Sequence, residues 1–510
     1  MLDFSVLSGY QENNRIEAKL SAGGLPRSTW ETYSAFANTL GGLILLGVQE
    51  NSDKSLKAVG IANPNKLIHD FWNIINNPNK VSMNILTDND VSIEDVEGNP
   101  IIVINVPRAR RSDRPIYIDG NPLSGSYRRR GEGDYKCTRE EMQAMYRDAA
   151  SETQDMLVLD EMSLDAFDRD SLHRYRMRMR NLRSGHVWEE LSDEDFLLRI
   201  GGAAKSTDGQ LHPTSAGLLM FGYEYEILRE YPHYFLDYRE QLDNTVRWAD
   251  RVISSSGDWS GNLYDFYFRI YNKLTQDIKV PFAIEGDTRI DDTPVHVALR
   301  EALVNCLVNA DYYGPRGVVI IKYQDHFEFS NPGGFRIAIE DAKGGGVSDP
   351  RNALLIKMFN LISIGERAGS GIPNIYHIWK KLGWEAPHIQ ESFDPQRVKV
   401  TLKLAEAKDD HTLSQTINTK SSDKKAAIKS GDKKAAIKSG DKKDSEKTRA
   451  NKSSILRYLS EHGSAKNSDI AALLSLGSSR TYYLLRELVD TGQIQEEGEK
   501  KAKTYRLIHD

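Results

Sequence analysis

Between Val297 and Gly334 the apolar positions of the chain change period. Leu299, Leu303, Cys306 and Ala310 recur at helical spacing and mark one apolar face. Glu301, Asn305, Val308 and Tyr312 fall together on roughly the opposite side, because positions three and four apart stack on a helix. Gly314-Pro315-Arg316-Gly317 then turns the chain into the β-branched run Val318–Tyr323. After a polar break comes Phe327–Ser330, so two strands joined by a turn are expected. Asn331-Pro332-Gly333-Gly334 follows, a stretch that lets the backbone approach a ligand closely.

Elsewhere the pattern predicts further elements. Towards the N-terminus, Ser28–Asn38 reads as a helix and Leu43–Val48 as a buried strand, with Asn38–Gly42 as the tight connection. Strands are expected at Arg15–Leu20, Val91–Asp95 and Ile101–Val106, and a short helix at Arg139–Arg147. A strand over Arg15–Leu20 turns Glu17 and Lys19 to the same face. In the middle, Leu164–Leu182 is a charged helical stretch, His212–Gly222 a short buried element, and Asn262–Leu274 an aromatic helix. Phe235–Arg239 and Thr245–Arg251 suggest strands. Near the C-terminus, Ile455, Leu456 and Leu459 mark one helix, Asn467 caps a second, and Ser478–Thr491 forms a third. A charged hairpin around Gly498 closes on Tyr505–Ile508. The fold class expected is a multidomain α/β (α+β) chain, divided at 1–150, 151–285, 286–405, a linker 406–452, and 453–510.

Composition narrows the partners. The formal charge is −6 over 510 residues, so nucleic-acid binding must come from local patches. Cys137 and Cys306 are the only cysteines and stand far apart, which argues against a disulfide framework or a zinc module. The apolar runs fall short of membrane-spanning length, so a cytoplasmic protein without a membrane partner is expected. Asp423–Gly431 repeats almost at once as Asp432–Gly440, a lysine-rich, low-complexity tether with too little apolar content for a core.

The candidate chemistry begins at Glu301 and Asn305. Magnesium takes hard oxygen ligands, and an Asn carbonyl supplies one without cancelling the charge that phosphates need. A Glu one turn earlier can orient or deprotonate a water. Glu366-Arg367-Ala368-Gly369-Ser370-Gly371-Ile372 is a second glycine motif, placed where a helix N-terminus can meet phosphates. With these residues, Arg300–Tyr313, Phe327–Gly334, Arg351-Asn352 and Gly365–Ile372 resemble the C-terminal ATP-binding module of the divergent AAA-4, or RecG-like, regulators. That module is similar to the GHKL ATPases (gyrase, Hsp90, histidine kinase, MutL). The resemblance implies ATP and Mg2+ as cofactors, with Glu301 as water-orienting base and Asn305 as magnesium ligand. It also implies Asn331, Gly333 and Gly334 beside the adenine, Gly369 and Gly371 in a lid, and a homo-oligomer. The chain has Asn309-Ala310 where that family has His-Arg, and Ala353 where it has Pro, departures that bear on hydrolysis. Thr214–Gly222 also resembles the segment between the two domains of those regulators.

At the other end, ENNRIEAK followed by SAFANTLGGLILLGV resembles the Schlafen/AlbA-type domain over roughly Gly9 to Arg147. The family contains both DNA-binding members and RNases. For a nuclease the resemblance implies a metal-gathering set Glu12, Glu17 and Glu50, with Lys19 beside it, in a two-metal displacement. Arg108, Arg110, Arg111 and Arg114 form one basic cluster, and Arg128, Arg129 and Arg130 another. Arginine forks match phosphate oxygens, so a phosphate-contacting groove is expected there. Ser453–Asp510 resembles a winged helix-turn-helix, whose third helix would enter the major groove. Its expected exposed residues are Ser479, Arg480, Thr481, Tyr483 and Arg486, with Lys500, Lys501 and Lys503 on the wing. Together these readings point to an ATP-binding, DNA-binding transcriptional regulator of bacterial type, with DNA favoured over RNA. The alternative is an ATP-gated, metal-dependent Schlafen-type nuclease, an RNase or tRNase, in defence or stress response; a weak ATPase activity is expected of either.

Overall fold

The run Gly42–Leu46 (GLILL) is apolar throughout, as a strand covered on both faces must be. It pairs in parallel with Ile16–Lys19 and antiparallel with Asn99–Val106, whose outer neighbour is Val91–Val96. Helix Ser28–Ala37 packs on this sheet through Tyr33, Phe36 and Ala37. The connection after it is tied down by its own polar side chains. Buried Asn38 donates Nδ2 to the carbonyls of Ile116 (2.7 Å) and Tyr127 (3.1 Å) and accepts from the Ile116 amide (2.8 Å). Thr39 Oγ1 donates to Ala35 O (2.7 Å) and accepts from the Arg129 amide (3.0 Å). Gly41 has φ +75°, and a Cβ there would lie 2.6 Å from Val106 O. The AFANTLGG stretch is therefore a backbone clamp that fixes the Tyr127–Arg130 strand against the sheet.

The computed structural model describes residues 7, 10–21, 23–242, 247–276, 283–285, 288–290, 293–365, 369–404 and 446–474, and beyond these 481, 484–486, 488, 489, 494–497 and 504–507. The chain forms two compact units, Met1–Ser414 and Gln415–Asp510. In the first, the C-terminal half is built on a six-stranded sheet. Its order is Asp250–Ile253, Leu236–Gln241, Val318–Tyr323, His326–Pro332, Gln396–Lys403 and His388–Phe393. Leu236–Gln241 and Val318–Tyr323 run parallel, and every other neighbouring pair is antiparallel. Helices Leu263–Thr275, Pro294–Val308, Ala353–Leu361 and Gly371–Lys381 cover it.

This sheet spans the expected division at 285/286. Leu236–Gln241, from the stretch read as a connector, pairs directly with Val318–Tyr323 and carries Asp250–Ile253 on its outer edge, and one apolar core runs from Leu159 to Leu402. Asp237, on the shared strand, is fully buried and holds Arg251 (Nε to Oδ1, 2.9 Å) and Arg239 (Nε to Oδ2, 2.8 Å). The second hairpin strand also extends past the expected Ser330 to Pro332, which places Asn331 within the sheet.

In the second unit, helices Glu446–His462 and Asn467–Leu474 pack with Leu484, Leu485 and Leu488 against the hairpin Ile494–Glu497 and Thr504–Leu507. The first helix begins before the expected boundary at 453. The repeat Asp423–Gly440 lies outside the described residues.

The shared sheet predicts how fragments behave. A fragment of residues 286–405 lacks two strands of its sheet and should give a collapsed amide NMR spectrum, whereas 151–404 should give a dispersed one. A dispersed spectrum from the shorter fragment would show that the sheet does not need its first two strands.

Candidate functional site

Helix Pro294–Val308 opens with Pro at its first position and a reciprocal Thr293/His296 cap (Thr293 Oγ1 to His296 Nδ1, 2.7 Å). Leu299, Leu303, Cys306 and Val308 are buried, and Glu301 and Asn305 are half-buried. Both polar side chains line one cavity, which encloses about 1140 Å³ including its open mouth. Asn305 Nδ2 donates to Glu301 Oε1 and to Glu301 O, each at 3.0 Å, which leaves the amide's carbonyl oxygen as its ligating atom. Gly371 begins the facing helix Gly371–Lys381, and a Cβ there would lie 2.0 Å from Glu301 Oε1. Any larger residue would push the carboxylate away.

One wall of the cavity is apolar, with Phe329, Ile375, Tyr376, Ile389, Val398 and Val400. The lining also carries Arg336, Asp349 and Arg351. Arg351 is fully buried: it ion-pairs with Asp148 and donates Nη2 to Gly334 O (2.8 Å) and Nε to Asn309 O (3.1 Å). Burial, with Arg114, Arg147 and Arg111 nearby, pulls its guanidinium down to about 9. Arg336 Nη2 stands 3.3 Å from Asp349 Oδ1. An amide–carboxylate pair, an apolar slot and an arginine wall fit a magnesium–nucleotide by the chemistry of their donors.

The expected residues are distributed around this space as follows. Glu301, Asn305, Asn331, Gly334, Gly369 and Gly371 all line the cavity. Gly333 turns the chain just behind it, with φ +92° and its Cα against the Arg351 guanidinium. Gly369, at φ +69°, packs where a Cβ would meet Val347 O at 2.5 Å. Glu366–Ala368 lie outside the described residues. Arg336 and Asp349 were missed by sequence reading, because they sit in irregular stretches on either side of the short helix Ile339–Gly344, where no periodicity marks them.

The N-terminal carboxylates have a different environment from the one expected. Glu12 accepts from the Ala18 amide (2.9 Å), and burial, then Glu17 and Glu50, raise its pKa. Glu17 Oε1 meets Lys19 Nζ and Glu17 Oε2 meets Arg129 Nη2, both at 2.8 Å. Among the described residues no group of three or more His, Cys, Asp or Glu is arranged to hold a metal ion. Of the expected metal set Glu12, Glu17 and Glu50, Glu17 is engaged by two cations here, and Glu12 feels the charge of both other carboxylates.

The arginine clusters are also corrected as an open groove. Arg129 is buried and bound by Glu17, Asp134 and the Asn13 carbonyl. Arg128 and Arg114 are buried, and Arg108 and Arg111 reach carboxylates of the six-stranded half. Arg110 is exposed, and Arg130 is partly exposed beside Glu141. In the second unit Arg486 is exposed as expected, but Thr481 is fully buried. It shares the helical face of Leu484, Leu485 and Leu488, which turns it inward. Ser479, Arg480, Tyr483, Lys500, Lys501 and Lys503 lie outside the described residues.

Comparison with known families supports this layout. Residues 12–138 match the family "Schlafen, AlbA_2", 143–237 a "Domain of unknown function (DUF8451)", 316–402 "Putative ATP-dependent DNA helicase recG C-terminal", and 453–498 the "IclR helix-turn-helix domain". The chain is therefore a multidomain protein that joins a Schlafen AlbA_2 domain, a RecG-C-terminal-type ATPase-like domain and an IclR-type helix-turn-helix. Helix Pro294–Val308 precedes the stretch matched by the recG model. The chain is similar to the N-terminal domain of a "Putative ATP-dependent DNA Helicase RecG-related Protein" from Nitrosomonas europaea, at 31% identity, covering 27% of this chain and 95% of that one, with a TM-score of 0.22. The DIP2311 protein from Corynebacterium diphtheriae is similar at 16% identity over 97% of this chain and 95% of that one, with a TM-score of 0.38. No curated protein matches the chain.

Glu17 offers a direct test of a structural role. Glu17→Gln leaves buried Arg129 without one of its charge partners and should lower unfolding free energy by about 3–5 kcal/mol in urea titration. An unchanged midpoint would release Glu17 for another role.

Proposed function

We propose that this protein is an ATP-binding, DNA-binding regulator in which nucleotide occupancy changes nucleic-acid binding. The observation that carries the reading is the cavity itself. Its lining holds the Glu301–Asn305 pair together with Arg336, Asp349 and Arg351, and two of these residues, Asp349 and Arg351, are ion-paired to the N-terminal domain and the helix that follows it. When bound, Mg·ATP supplies a polyanion and a hard cation to this space. Asn305 would hold the magnesium and Glu301 would orient a water. Gly369 and Gly371 would leave the backbone close to the phosphates, with Asn331, Gly333 and Gly334 towards the adenine. Arg336 and Arg351 would oppose the phosphate charge. A ligand that contacts a wall shared by two domains shifts their arrangement only through different affinity for the two states.

In this reading residues 1–150 and 453–510 contact nucleic acid, the latter joined to the ATP module by the basic stretch 406–452, whose grip would be salt-sensitive. DNA is the preferred partner because of the helix-turn-helix, and control of transcription in a bacterial cytoplasm is the role that fits. No helix among the described residues is long and apolar enough to cross a membrane. Pairing of two chains when ATP is bound belongs to the same proposal.

Two measurements test it. Asn305→Ala should weaken Mg·ATP binding by tenfold or more in calorimetry, on the order of the 1.4 kcal/mol or more expected for a lost metal ligand. Duplex DNA affinity of the wild type, read by fluorescence anisotropy, should change severalfold on adding Mg·ATP, and the Asn305→Ala protein should show no change. DNA binding that is identical with and without nucleotide in the wild type would sink the proposal.

A further inference from the structure

Among the described residues, the buried apolar clusters of the N-terminal domain and of the six-stranded half share no member. What lies between them is a seam of charge. Arg108 Nη1 stands 2.5 Å from Glu391 Oε2, and its Nη2 donates to Phe335 O (3.2 Å). Arg111 Nε donates to Asp349 Oδ2 (2.5 Å), and Arg128 Nη2 to Gln396 Oε1 (3.0 Å). Arg130 Nη1 is 3.6 Å from Asp394 Oδ2, and Arg147 Nη2 donates to Asp311 Oδ2 (2.9 Å). In each of these contacts the cation comes from before residue 150 and the acceptor from after residue 310. These are arginines that the sequence marks as a phosphate surface, together with one from the following helix.

The seam also has the marks of a contact made to be opened. The Nε atoms of Arg114, Arg128, Arg130 and Arg147 are buried without a hydrogen-bond partner. Polar interfaces between domains resemble transient ones, and parting these two exposes no shared apolar core. A guanidinium fork accepts a carboxylate or a phosphodiester with the same geometry. Two of the acceptors, Phe335 and Asp349, belong to residues that line the nucleotide cavity.

We infer that the arginine row of the N-terminal domain is a nucleic-acid-backbone surface held shut by the carboxylates of the six-stranded half, which act as its internal phosphate mimics. Nucleic acid and these carboxylates compete for the same guanidinium groups, so the docked arrangement is the low-affinity one. The inference rests on the nucleic-acid-binding reading of the N-terminal domain, and adds where the binding surface is and what covers it.

The test uses the full chain without nucleotide. Glu391→Gln with Asp394→Asn removes two of the mimics, both outside the cavity lining. Affinity for a short labelled duplex DNA and for a single-stranded RNA of equal length is read by anisotropy. At least one should tighten by about tenfold, the scale of two recovered phosphate contacts at moderate salt. Adding Arg108→Ala and Arg130→Ala to that variant should return the affinity to the wild-type value or below. Unchanged affinity for both probes, or a gain that survives loss of the arginines, overturns the latch. A charge-swapped protein, R108E with E391R, guards against simple loss of fold. It should protect the strand His388–Phe393 from hydrogen exchange as well as the wild type does, and bind no tighter. Binding as tight as the two-mimic variant would overturn the latch. A Mg·ATP arm on the wild type separates the two proposals. If the variant gains affinity while ATP leaves the wild type unchanged, the latch stands and nucleotide coupling falls; if ATP acts and the variant gains nothing, the latch falls alone.

Discussion

The guanidinium of Arg351 is the point on which three parts of the first unit depend. It sits fully buried between the end of the helix Arg139–Ala149 at Asp148, the turn carbonyl of Gly334, and Asn309 at the C-cap of the helix that carries Glu301. A cation taken out of water costs several kcal/mol, and only paired charge with filled hydrogen bonds offsets it. Each of those partners is therefore held in place by the need to satisfy the same group. Asn352, the next residue, does the same with uncharged donors, giving Nδ2 to Val308 O (3.0 Å) and Ala310 O (2.9 Å). Between them, two consecutive side chains lock the Asn309–Ala310 corner. That corner is where the chain departs from the His-Arg of the ATP-module family it resembles.

The parts of this fold that were legible in the sequence are those set by short-range periodicity. The Glu17–Lys19 spacing gave the ion pair, because a strand of period two leaves those side chains no other face to share. Glu301 and Asn305 reached one cavity because they are one helical turn apart. What was not legible depends on distance along the chain. Arg108 finds Glu391 and Arg111 finds Asp349, across 283 and 238 positions, and no local pattern reports such partners. Clustered arginines therefore read as an open groove when their acceptors lay in another part of the chain. The parallel pairing of Leu236–Gln241 with Val318–Tyr323 crosses the division drawn at 285/286 in the same way, joining strands with no local pattern in common.

Thr481 shows a smaller error of the same origin. Polar character suggested exposure, yet its position one turn before Leu484 and Leu485 puts it on the buried face. In a helix of a small domain, phase decides burial before polarity does.

The distribution of charge around the cavity also limits what can enter it. Arg336 and Arg351 line the space, and Arg111, Arg114 and Arg147 stand close enough to depress the guanidinium of Arg351. Against them the cavity lining offers the carboxylates of Glu301 and Asp349, and Asp349 is already drawn to Arg111 and Arg336. Asp148, Asp311 and Asp349 pair with these arginines, yet Arg114, Arg147 and Arg111 still lower the guanidinium of Arg351, so a neutral or cationic ligand would leave that repulsion in place. An anion relieves that repulsion, and the relief is larger in a low-dielectric setting than it would be in water. In the proposed reading it would also compete with Asp349 for the positive potential around Arg111, so ligand charge and domain docking would oppose each other through a single carboxylate, without a long-range path through the core.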